Sequence, residues 1–361
     1  MNLLNTKNIA VIFGGHSPEY SVSLQSAHAV IKAMDRTKYT PVLIGISHTG
    51  EWFYFDGSVE KLLDDTWCNN IDCIPAVVSP SRKSHKLLLL GEEKVKSLPI
   101  DGVFPILHGR NGEDGTVQGL FELAGIPIIG CNVLASALCM DKDRAHRLVS
   151  AAGILVPKSF AVEKHTEPKI IAAYAEKLGY PLFVKPVRTG SSYGITKVSD
   201  KEQLSSAIEL AFSFDETVLM EECISGFEVG CAVMDSPITD NVNPIVGEVD
   251  EIELSEGFFD FTEKYTLKTS AIHCPARITS EAAKRIKQTA RIIYKTLDCT
   301  GFARVDMFFT ASGKIVFNEV NTIPGFTAHS RFPNMMKAAG ISFEDMISTM
   351  IETAERHGGL S

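Results

Sequence analysis

Two acidic side chains and one amide occur near the carboxyl end of the chain, in two segments whose apolar residues are typical of buried strands. Asp306 lies in the first segment, GFARVDMF, whereas Glu319 and Asn321 lie in the second, IVFNEVNT. Residues two apart share a face of a strand, so an antiparallel pair would bring all three side chains together. Carboxylate and amide oxygens suit magnesium, and buried carboxylates need partners. The spacing therefore predicts a magnesium site rather than a solvent-exposed acidic face, with Arg304 beside it as a contact for an anion.

Two lysines stand where they could contact phosphate. Lys185 ends a predicted buried strand in LFVKPVRTGSSYG, and the loop after it offers backbone N–H groups to an anion. Lys142, in CMDKDRA, opens a predicted helix. Taken alone, Lys185 also fits a surface hairpin and Lys142 a solvated helix position, and both alternatives stay open at this point. The chain contains neither a P-loop nor a GxGxxG fingerprint, so a nucleotide must be held in another way.

Three further polar segments are candidates for ligand binding. The stretch VLMEECISGFEVG predicts a strand and a turn whose backbone could border an adenine, with Glu228 on a ribose, although glutamates are common near turns. Glu19, in HSPEYSVSL, could pair with a substrate ammonium, and HGRNGEDG at 108–115 ends in a helix N-cap pattern. Helix capping and loop solvation explain the last two segments equally well.

Composition excludes several classes of protein. The chain has 361 residues, 45% of them hydrophobic, which is enough for two or three domains. A formal net charge of −9 disfavours nucleic-acid binding. The eight cysteines form no CxxC pair and no zinc spacing, and no apolar run reaches the length of a signal segment or a membrane span. We therefore expect a soluble, cytoplasmic protein with free thiols.

The elements that position these residues follow from hydrophobic periodicity and from glycine turns. Strand, Gly14–Gly15 turn, helix and strand succeed one another at the amino end, which is the start of an α/β domain. Residues 55–98 are predicted to be loop with short strands, and 253–272, which lack periodicity between two strands, to be a functional loop. Strands are predicted at 8–13, 40–46, 102–107, 127–129, 182–186, 195–198, 218–221, 228–233, 301–309 and 314–319. Helices are predicted at 21–34, 116–124, 133–139, 141–151, 201–212, 281–297, 333–338 and 342–356.

Taken together, the motifs resemble those of the D-alanine–D-alanine ligase family, which belongs to the ATP-grasp superfamily. Eight strings match in family order and span nearly the whole chain: FGGHSPEYSVSL, LHGRNGEDGTVQG, MDK, VKP, GSSYG, EKY, ARVDMF and NEVNTIPGFTAHSR. The resemblance implies an α/β fold in which an N-terminal α/β domain precedes a two-domain ATP-grasp fold. The implied domains are an N-terminal domain at 1–130, a central ATP-grasp domain at 131–220 and a C-terminal ATP-grasp domain at 221–361, which carries an omega loop at 253–272.

The resemblance also implies a reaction. ATP would phosphorylate the carboxylate of D-alanine, and a second substrate would attack the resulting D-alanyl phosphate. Two magnesium ions, or manganese, would bind at Asp306, Glu319 and Asn321. The residues implied to bind ATP are Lys142, Lys185, Glu221, Cys223, Ile224, Glu228 and Lys264. For catalysis, the resemblance implies that Glu19 holds the ammonium of the first D-alanine and that Ser191 links Glu19 to Tyr265. It also implies that Arg304 and the backbone of Gly325 form the site that contacts the oxyanion.

The omega loop, which contains FFDFTEKYTLKTS, bears on the second substrate. Lys264 and Tyr265 are intact where D-lactate-adding relatives carry a histidine-bearing sequence, so an amine acceptor is expected. The chain looks most like the VanG-type D-alanine–D-serine ligases, in the stretches GCAV, VDEIELS, GFFDFTEKYTLK and HSRFPNMMK. The residues implied to shape the acceptor site are Asp250, Phe259, Ser330 and Arg331.

The predicted product is therefore D-alanyl-D-serine, made for modified peptidoglycan precursors and glycopeptide (vancomycin) resistance. The main alternative is the D-alanine–D-alanine ligase of normal cell-wall synthesis and cell shape, since the differences at the acceptor site could simply mark lineage. Another ATP-grasp enzyme and a nucleotide-binding regulatory protein without activity are more distant alternatives. The resemblance implies a homodimer, and neither a nucleic acid nor a membrane is expected as a partner.

Overall fold

The computed structural model arranges these segments in three sheets, and the residues that it describes are 6–69, 72–190, 192–238, 243–254 and 270–358. Within these ranges, the first sheet has seven strands, the second four and the third five. The first sheet lies in residues 7–105, the second in 159–222 and the third in 226–321. The domain boundaries expected at 130 and 220 stay a prediction.

The amino-terminal sheet has a parallel centre and an antiparallel wing. Its strands are β1 (Lys7–Gly14), β2 (Tyr39–Ile46), β3 (Trp52–Phe55), β4 (Cys73–Val78), β5 (Lys86–Leu90), β6 (Val95–Pro99) and β7 (Gly102–Pro105), with α1 (Tyr20–Ala33), α2 (Thr116–Ala124) and short 3₁₀ helices at Val59–Leu62 and Trp67–Asn69. Strand β1 pairs in parallel with β2 and β7. The carboxyl ends of these strands meet at one edge, where the Gly14–Gly15 turn and the 108–115 loop follow, so this edge collects polar residues.

The wing, β3 to β6, was predicted only in part. Residues 55–98 were expected to be loop with short strands, but they continue the sheet in the order β6-β5-β4-β3-β2. The strands β3 to β6 are too short for their hydrophobic periodicity to identify them. Trp67 fixes the start of the wing, because its fully buried ring packs edge-on against Phe13 and Phe55, with centroids 5.1 and 6.0 Å away.

The second sheet is small and antiparallel. Around it lie α3 (Val133–Met140), α4 (Lys142–Ala151), β8 (Ser159–Glu163), α5 (Pro168–Leu178), β9 (Leu182–Pro186), β10 (Thr196–Val198), a 3₁₀ helix (Lys201–Gln203), α6 (Leu204–Phe212) and β11 (Thr217–Glu222). The strand order is β10-β9-β11-β8. Periodicity identified neither β8 nor α5. Helix α5 has one buried residue, Ala175, among those described, so it shows no apolar stripe of the usual width.

The third sheet is antiparallel as well, in the order β14-β13-β12-β15-β16. Its elements are β12 (Gly226–Met234), β13 (Ile245–Leu254), β14 (Ser270–His273), α7 (Ser280–Thr296), β15 (Phe302–Thr310), β16 (Ile315–Asn321), α8 (Arg331–Ala338) and α9 (Phe343–Gly358). At the two ends of the loop predicted at 253–272, β13 continues to residue 254 and β14 begins at residue 270. The residues between these strands lie outside the described ranges.

A β-bulge interrupts the pairing of β15 with β16. Asp306 stands opposite Glu319, but the next residue of β15 stands opposite Phe317, so Asn318 is an extra residue in the ladder. Phe317 packs into the core before the bulge, whereas Val320 does so after it. The core-facing side of β16 therefore changes in mid-strand, because a bulge shifts the alternation by one residue. Strict alternation, on which the sequence-based prediction depended, does not foresee this change.

Four phenylalanines join the first sheet to the third. Phe104 comes from β7, Phe302 from β15, Phe326 from the segment after β16 and Phe332 from α8, and all are fully buried. Their rings contact each other tilted or edge-to-face, with centroids 5.4 to 6.0 Å apart. Such pairs contribute about 0.5–1.5 kcal/mol each beyond the burial of their surface. The cluster fixes the segment between β16 and α8 against the first sheet.

The first and third sheets are also joined where two backbones cross, at Gly130 and Gly301. Gly301 has φ +69°, and a Cβ there would lie 2.8 to 2.9 Å from backbone atoms of Gly130.

Gly153 also has positive φ, +84°, but no described atom lies within 4 Å of its Cβ position. Gly153→Ala should therefore lower the free energy of unfolding by about 1 kcal/mol, and Gly301→Ala by about 3 kcal/mol, because overpacking adds to the backbone cost. Chemical denaturation measures both values, and equal losses would contradict the close crossing.

Candidate active site

The paired strands β15 and β16 carry the three side chains predicted to bind magnesium. Asp306 lies opposite Glu319, and Arg304 opposite Asn321. Asn321 Nδ2 donates to Asp306 Oδ2 at 2.8 Å, and Arg304 Nη2 donates to the same oxygen at 2.7 Å. Asp306 is 1% exposed, whereas the side chain of Glu319 is 22% exposed. The structure thus brings the predicted group together on one face, and its role in metal binding stays a prediction.

Both lysines predicted to contact phosphate are buried. Lys185 Nζ donates to Glu221 Oε1 at 2.6 Å across the neighbouring strands β9 and β11. Lys142, the first residue of α4, donates from Nζ to the carbonyl of Thr189 at 2.8 Å and lies 4.0 Å from Glu319 Oε2. Lys185 is 7% exposed and Lys142 is 8% exposed. These values exclude the surface hairpin for Lys185 and the solvated helix position for Lys142, which the sequence left open.

A cavity of about 470 Å³ lies between the second and third sheets. Phe183, Phe227 and Phe308 supply apolar wall, and Glu319 also lines the cavity. Six of the residues predicted to bind ATP line it as well: Lys142, Lys185, Glu221, Cys223, Ile224 and Glu228. A concave site with apolar walls and a few charged groups suits a nucleotide. Lys264, the seventh predicted residue, lies outside the described ranges.

His146, which no sequence pattern singled out, supports this cavity from α4. Its Nε2 donates to the carbonyl of Asn318, the extra residue of the bulge, at 2.9 Å. Its Nδ1 lies 3.9 Å from Glu221 Oε2, and neither atom has a hydrogen-bond partner among the described residues. Burial lowers the pKa of His146, which favours a neutral ring whose Nδ1 accepts. Two facing acceptors require a donor between them, such as a water molecule.

Glu19 lies at the amino end of α1 and is 7% exposed. Its side chain makes no capping hydrogen bond to the described helix, so the capping alternative is wrong. A Cβ built on Gly109 would lie 2.7 Å from Glu19 Oε2, and one built on Gly190 would lie 3.5 Å away. The carboxylate therefore sits between the loop after β7 and the loop after β9. Contact with a substrate ammonium stays the prediction, and Ser191, its predicted neighbour, lies outside the described ranges.

Glu113 is a second acid in this corner. Its carboxylate accepts the N–H of Gly109 at 2.8 Å and that of Ile323 at 3.3 Å. Burial raises the pKa of Glu113 to about 8, and the charge of Glu19 adds to this effect. His108 Nδ1 donates to the carbonyl of Ile323 at 2.9 Å, and burial lowers the pKa of His108. The HGRNGEDG pattern indicated a polar cluster here but not which of its side chains would hold the segment after β16.

Arg331 is the first residue of α8 and is 7% exposed. Its Nε and Nη2 donate to Asp250 at 2.7 and 2.8 Å, and its Nη1 donates to Glu228 Oε1 at 2.8 Å. Nη1 also lies 3.3 Å from Asp306 Oδ1. The sequence assigned Arg331 and Asp250 to the second substrate and Glu228 to the ribose. The structure joins all of them in one charge network with the predicted metal face, and the roles assigned to them stay predictions.

Ser330 directly precedes α8, and its Oγ accepts the N–H of Thr327 at 3.0 Å. A Cβ built on Gly325 would lie 2.6 Å from the Ser330 Oγ. The residue predicted for the oxyanion and the residue predicted for the acceptor carboxylate are therefore adjacent. Phe259 and Tyr265, predicted for the acceptor and for catalysis, lie outside the described ranges.

Comparison with known proteins assigns the chain. The family description "D-ala D-ala ligase N-terminus" matches residues 8–131, and "D-ala D-ala ligase C-terminus" matches residues 148–352. The chain belongs to the D-alanine–D-alanine ligase family. It is 42% identical over 356 residues to the vancomycin C-type resistance protein VanC1 of Enterococcus gallinarum, covering 97% of this chain and 98% of that protein. It is 40% identical to D-alanine–D-alanine ligase A of Escherichia coli K12, covering 97% and 96%.

Solved structures agree with this assignment. The VanG D-Ala:D-Ser ligase from Enterococcus faecalis is similar with a TM-score of 0.90 and 56% identity, over 97% of this chain and 100% of that one. The D-alanine–D-alanine ligase from Coxiella burnetii is similar with a TM-score of 0.86 and 30% identity, over 98% and 95%. The predicted family and α/β ATP-grasp fold are therefore confirmed, and the protein is an ATP-dependent ligase that joins D-alanine to a second D-residue for peptidoglycan precursors. Across the described ranges, no helix of the ligase has both the length and the apolar character to span a membrane.

The acidic strand pair has ligands that fit the magnesium implied by the family resemblance. Asp306 and Glu319 offer carboxylate oxygens and Asn321 an amide oxygen, which are hard ligands suited to magnesium. In the described part of the chain, no three His, Cys, Asp or Glu side chains form a metal site by themselves. Magnesium held by these residues would neutralise negative charge on the transferred phosphoryl group.

Replacing Glu319 should separate metal binding from folding. Its side chain is partly exposed, and Lys142, 4.0 Å away, keeps its hydrogen bond to the carbonyl of Thr189 when Glu319 is replaced by alanine. We expect ATP turnover to fall at least about 10²-fold, with the melting temperature changed by less than about 3 °C. Asp306→Ala is the contrast, because it removes the buried carboxylate that Arg304 bonds through Nε and Nη2, and it should cost about 3–5 kcal/mol of stability. Near wild-type turnover by Glu319→Ala would show that the metal assignment is wrong.

Glu113→Gln tests the raised pKa of this acid. An unfolded glutamate titrates near about 4.3, whereas the folded group has a pKa of about 8. The folded state binds more protons between these values, so the contribution of Glu113 to stability is complete below the lower pKa and is lost as pH rises through the upper one. Between about pH 5 and pH 8 we expect the unfolding free energy of the variant to fall less steeply than that of the wild type. An unchanged slope in Glu113→Gln would refute the raised pKa.

Proposed function

We propose that the ligase forms D-alanyl-D-serine through a D-alanyl phosphate, for modified peptidoglycan precursors and glycopeptide resistance. The observation that carries this proposal is the 56% identity, over 97% of this chain, with the VanG D-Ala:D-Ser ligase. Identity with the D-alanine–D-alanine ligase of Coxiella burnetii is 30% over a similar span. The chain thus shares much more with this D-serine-adding enzyme than with this D-alanine-adding one.

The charge network on the acceptor side, formed by Asp250, Glu228 and Arg331, supports the same choice. A serine hydroxyl needs hydrogen-bond partners, and a site built from polar groups can select for it. The carboxylates of Asp250 and Glu228 and the guanidinium of Arg331 are hydrogen-bonding groups of this kind. Ser330, next to Arg331, would receive the carboxylate of the second substrate. A polar wall of this kind suits a hydroxymethyl group better than a methyl group.

The first half of the reaction activates D-alanine. Glu19 would hold the ammonium of D-alanine between the two glycine-containing loops. The carboxylate of D-alanine would attack the γ-phosphorus of ATP. Lys142 and Lys185, both buried in the cavity wall, would neutralise charge on the phosphates. The bond from the γ-phosphorus to ADP breaks, and D-alanyl phosphate forms.

The second half joins the acceptor. The neutral amine of D-serine would attack the acyl carbon, a C–N bond would form, and inorganic phosphate would leave. Arg304 is held in place by Asp306, with Nε 2.9 Å from Oδ1, and would meet the oxyanion together with the Gly325 N–H. Preorganised donors of this kind cost no rearrangement during the reaction. The proposal also includes the roles that the family resemblance implies for four further residues: Ser191, Phe259, Lys264 and Tyr265.

One observation favours the alternative function, a D-alanine–D-alanine ligase of normal cell-wall synthesis. The guanidinium of Arg331 already donates to Asp250 and Glu228, so it is committed to protein carboxylates. The methyl group of a second D-alanine needs no donor. Under this alternative, the network would shape the pocket without contacting a hydroxyl.

We also propose a cytoplasmic location and a homodimeric state. All eight cysteines are free thiols, which supports a reducing compartment. The dimer is carried over from the family resemblance, as is the use of manganese in place of magnesium.

The product profile tests the proposal. Purified ligase with ATP and magnesium is given D-alanine alone, D-alanine with equimolar D-serine, and D-alanine with D-lactate, at several pH values. Mass spectrometry of the products should show D-alanyl-D-serine exceeding D-alanyl-D-alanine in the mixed reaction near neutral pH, and little D-alanyl-D-lactate. Absence of the D-serine product near neutral pH would refute the proposal and leave the D-alanine alternative.

A further inference from the structure

Gly230 lies in the middle of β12, the central strand of the third sheet, where a glycine is unfavourable unless another group approaches closely. Its partners on both neighbouring strands are aspartates, Asp250 on β13 and Asp306 on β15. Asp306 in turn pairs with Glu319, so one row across the sheet reads Asp250, Gly230, Asp306, Glu319. Cross-strand partners share a face. The missing side chain therefore leaves a gap between two buried carboxylates.

The guanidinium of Arg331 fills this gap. A Cβ built on Gly230 would overlap Arg331 Nη2 and would lie 2.7 Å from Asp250 Oδ1. The N–H of Gly230 donates to the same Asp250 oxygen at 2.9 Å, which orients the carboxylate toward the guanidinium. Arg331 then bonds Asp250 on one side and lies 3.3 Å from Asp306 on the other. Both the absent side chain and the backbone of Gly230 thus serve the network.

We infer that Gly230 determines the acceptor specificity of the ligase by leaving room for Arg331. This inference rests on the proposed function, in which Ser330 and Arg331 border the second substrate. Any side chain at residue 230 must displace Nη2 by about 1 Å to reach ordinary van der Waals separation. Arg331 begins α8 and Ser330 precedes it, so the displacement reaches the acceptor site directly. A misplacement of this size can change a rate by about 10²-fold.

The nucleotide side should change less. Lys142 begins α4 and is held by the carbonyl of Thr189, whereas Lys185 lies on β9 and is held by Glu221. Glu228 is the connection between the two sides, because it accepts from Arg331 and lines the nucleotide cavity. A side chain at residue 230 therefore acts mainly on the second substrate and only weakly on ATP.

Gly230→Ala in the full-length ligase tests this, with Gly247→Ala as the matched control. Gly247 lies on β13, and the three atoms nearest to a Cβ built there all belong to Met335 of α8, at 3.0 Å. The control thus crowds the same helix at a different residue. For Gly230→Ala we expect the KM of the second substrate to rise about tenfold or more and the D-serine to D-alanine product ratio to change at least about threefold. The KM for ATP should change less than about threefold.

Two results would overturn the inference. One is a Gly230→Ala ligase whose second-substrate KM and product ratio both stay within about twofold of the wild type. The other is a Gly247→Ala ligase that reproduces the changes, because general crowding of α8 would then explain them.

Arg331→Lys provides a second test, which holds even if Gly230→Ala folds poorly. Lysine lacks Nη2 but keeps a positive charge beside Asp250. In the Arg331→Lys background, Gly230→Ala should therefore lower the free energy of unfolding and raise the second-substrate KM by less than it does in the wild type. Equal costs in the two backgrounds would show that the crowding does not act through the guanidinium, and the inference would fail.

The two proposals can fail separately. If the wild-type ligase makes D-alanyl-D-alanine alone, the D-serine proposal fails, but the KM of the second D-alanine still reports on Gly230. If the wild type prefers D-serine and Gly230→Ala changes neither the KM nor the ratio, the inference about Gly230 alone fails.

Discussion

Two buried aspartates in the third sheet constrain the rest of the active site. Asp250 and Asp306 are 0% and 1% exposed, and carboxylates in such positions need cationic partners. Arg304 and Arg331 are these partners, so the backbone of each arginine is confined to places from which its guanidinium reaches them. An intact buried ion pair adds little net stability, whereas removing one partner costs about 3–5 kcal/mol. The network therefore specifies an arrangement more than it stabilises the fold.

From these arginines the constraint extends to the remaining parts of the site. Arg331 begins α8, and Phe332 beside it packs into the aromatic cluster that includes Phe104 of the first sheet. The backbone of Ile323 is held by the loop after β7, which also borders Glu19. The predicted ammonium, acceptor and metal sites thus share one support, made from the first and third sheets. The phosphate lysines come from the second sheet and α4, so the cavity brings together groups from two separate supports.

The sequence predicted correctly that Asp306, Glu319 and Asn321 share one face, because the spacing of Glu319 and Asn321 is a local property of one strand. Six of the residues that motif resemblance predicted for the nucleotide line one cavity, and their contact with a nucleotide stays a prediction. The network around Arg331 could not be predicted, since its three carboxylates come from three strands whose order is a tertiary property. Helix α5 was missed because Ala175 alone among its described residues is buried, which leaves no stripe to detect. Residue type likewise could not separate capping from ligand binding at Glu19.

The bulge at Asn318 has a consequence for how the ligase can vary. Phe317 and Glu319 are two residues apart, yet the first faces the hydrophobic core and the second faces the nucleotide cavity. The extra carbonyl is anchored by His146, so the change of side is held in place rather than left to slip. A change of side chain at residue 317 therefore acts first on the core packed beneath α7 and on the ring of His146, which packs edge-on against Phe317 with centroids 5.5 Å apart. One inserted residue lets a single strand turn Phe317 to the core and Glu319 to the cavity, and variation at residue 317 reaches that cavity through His146.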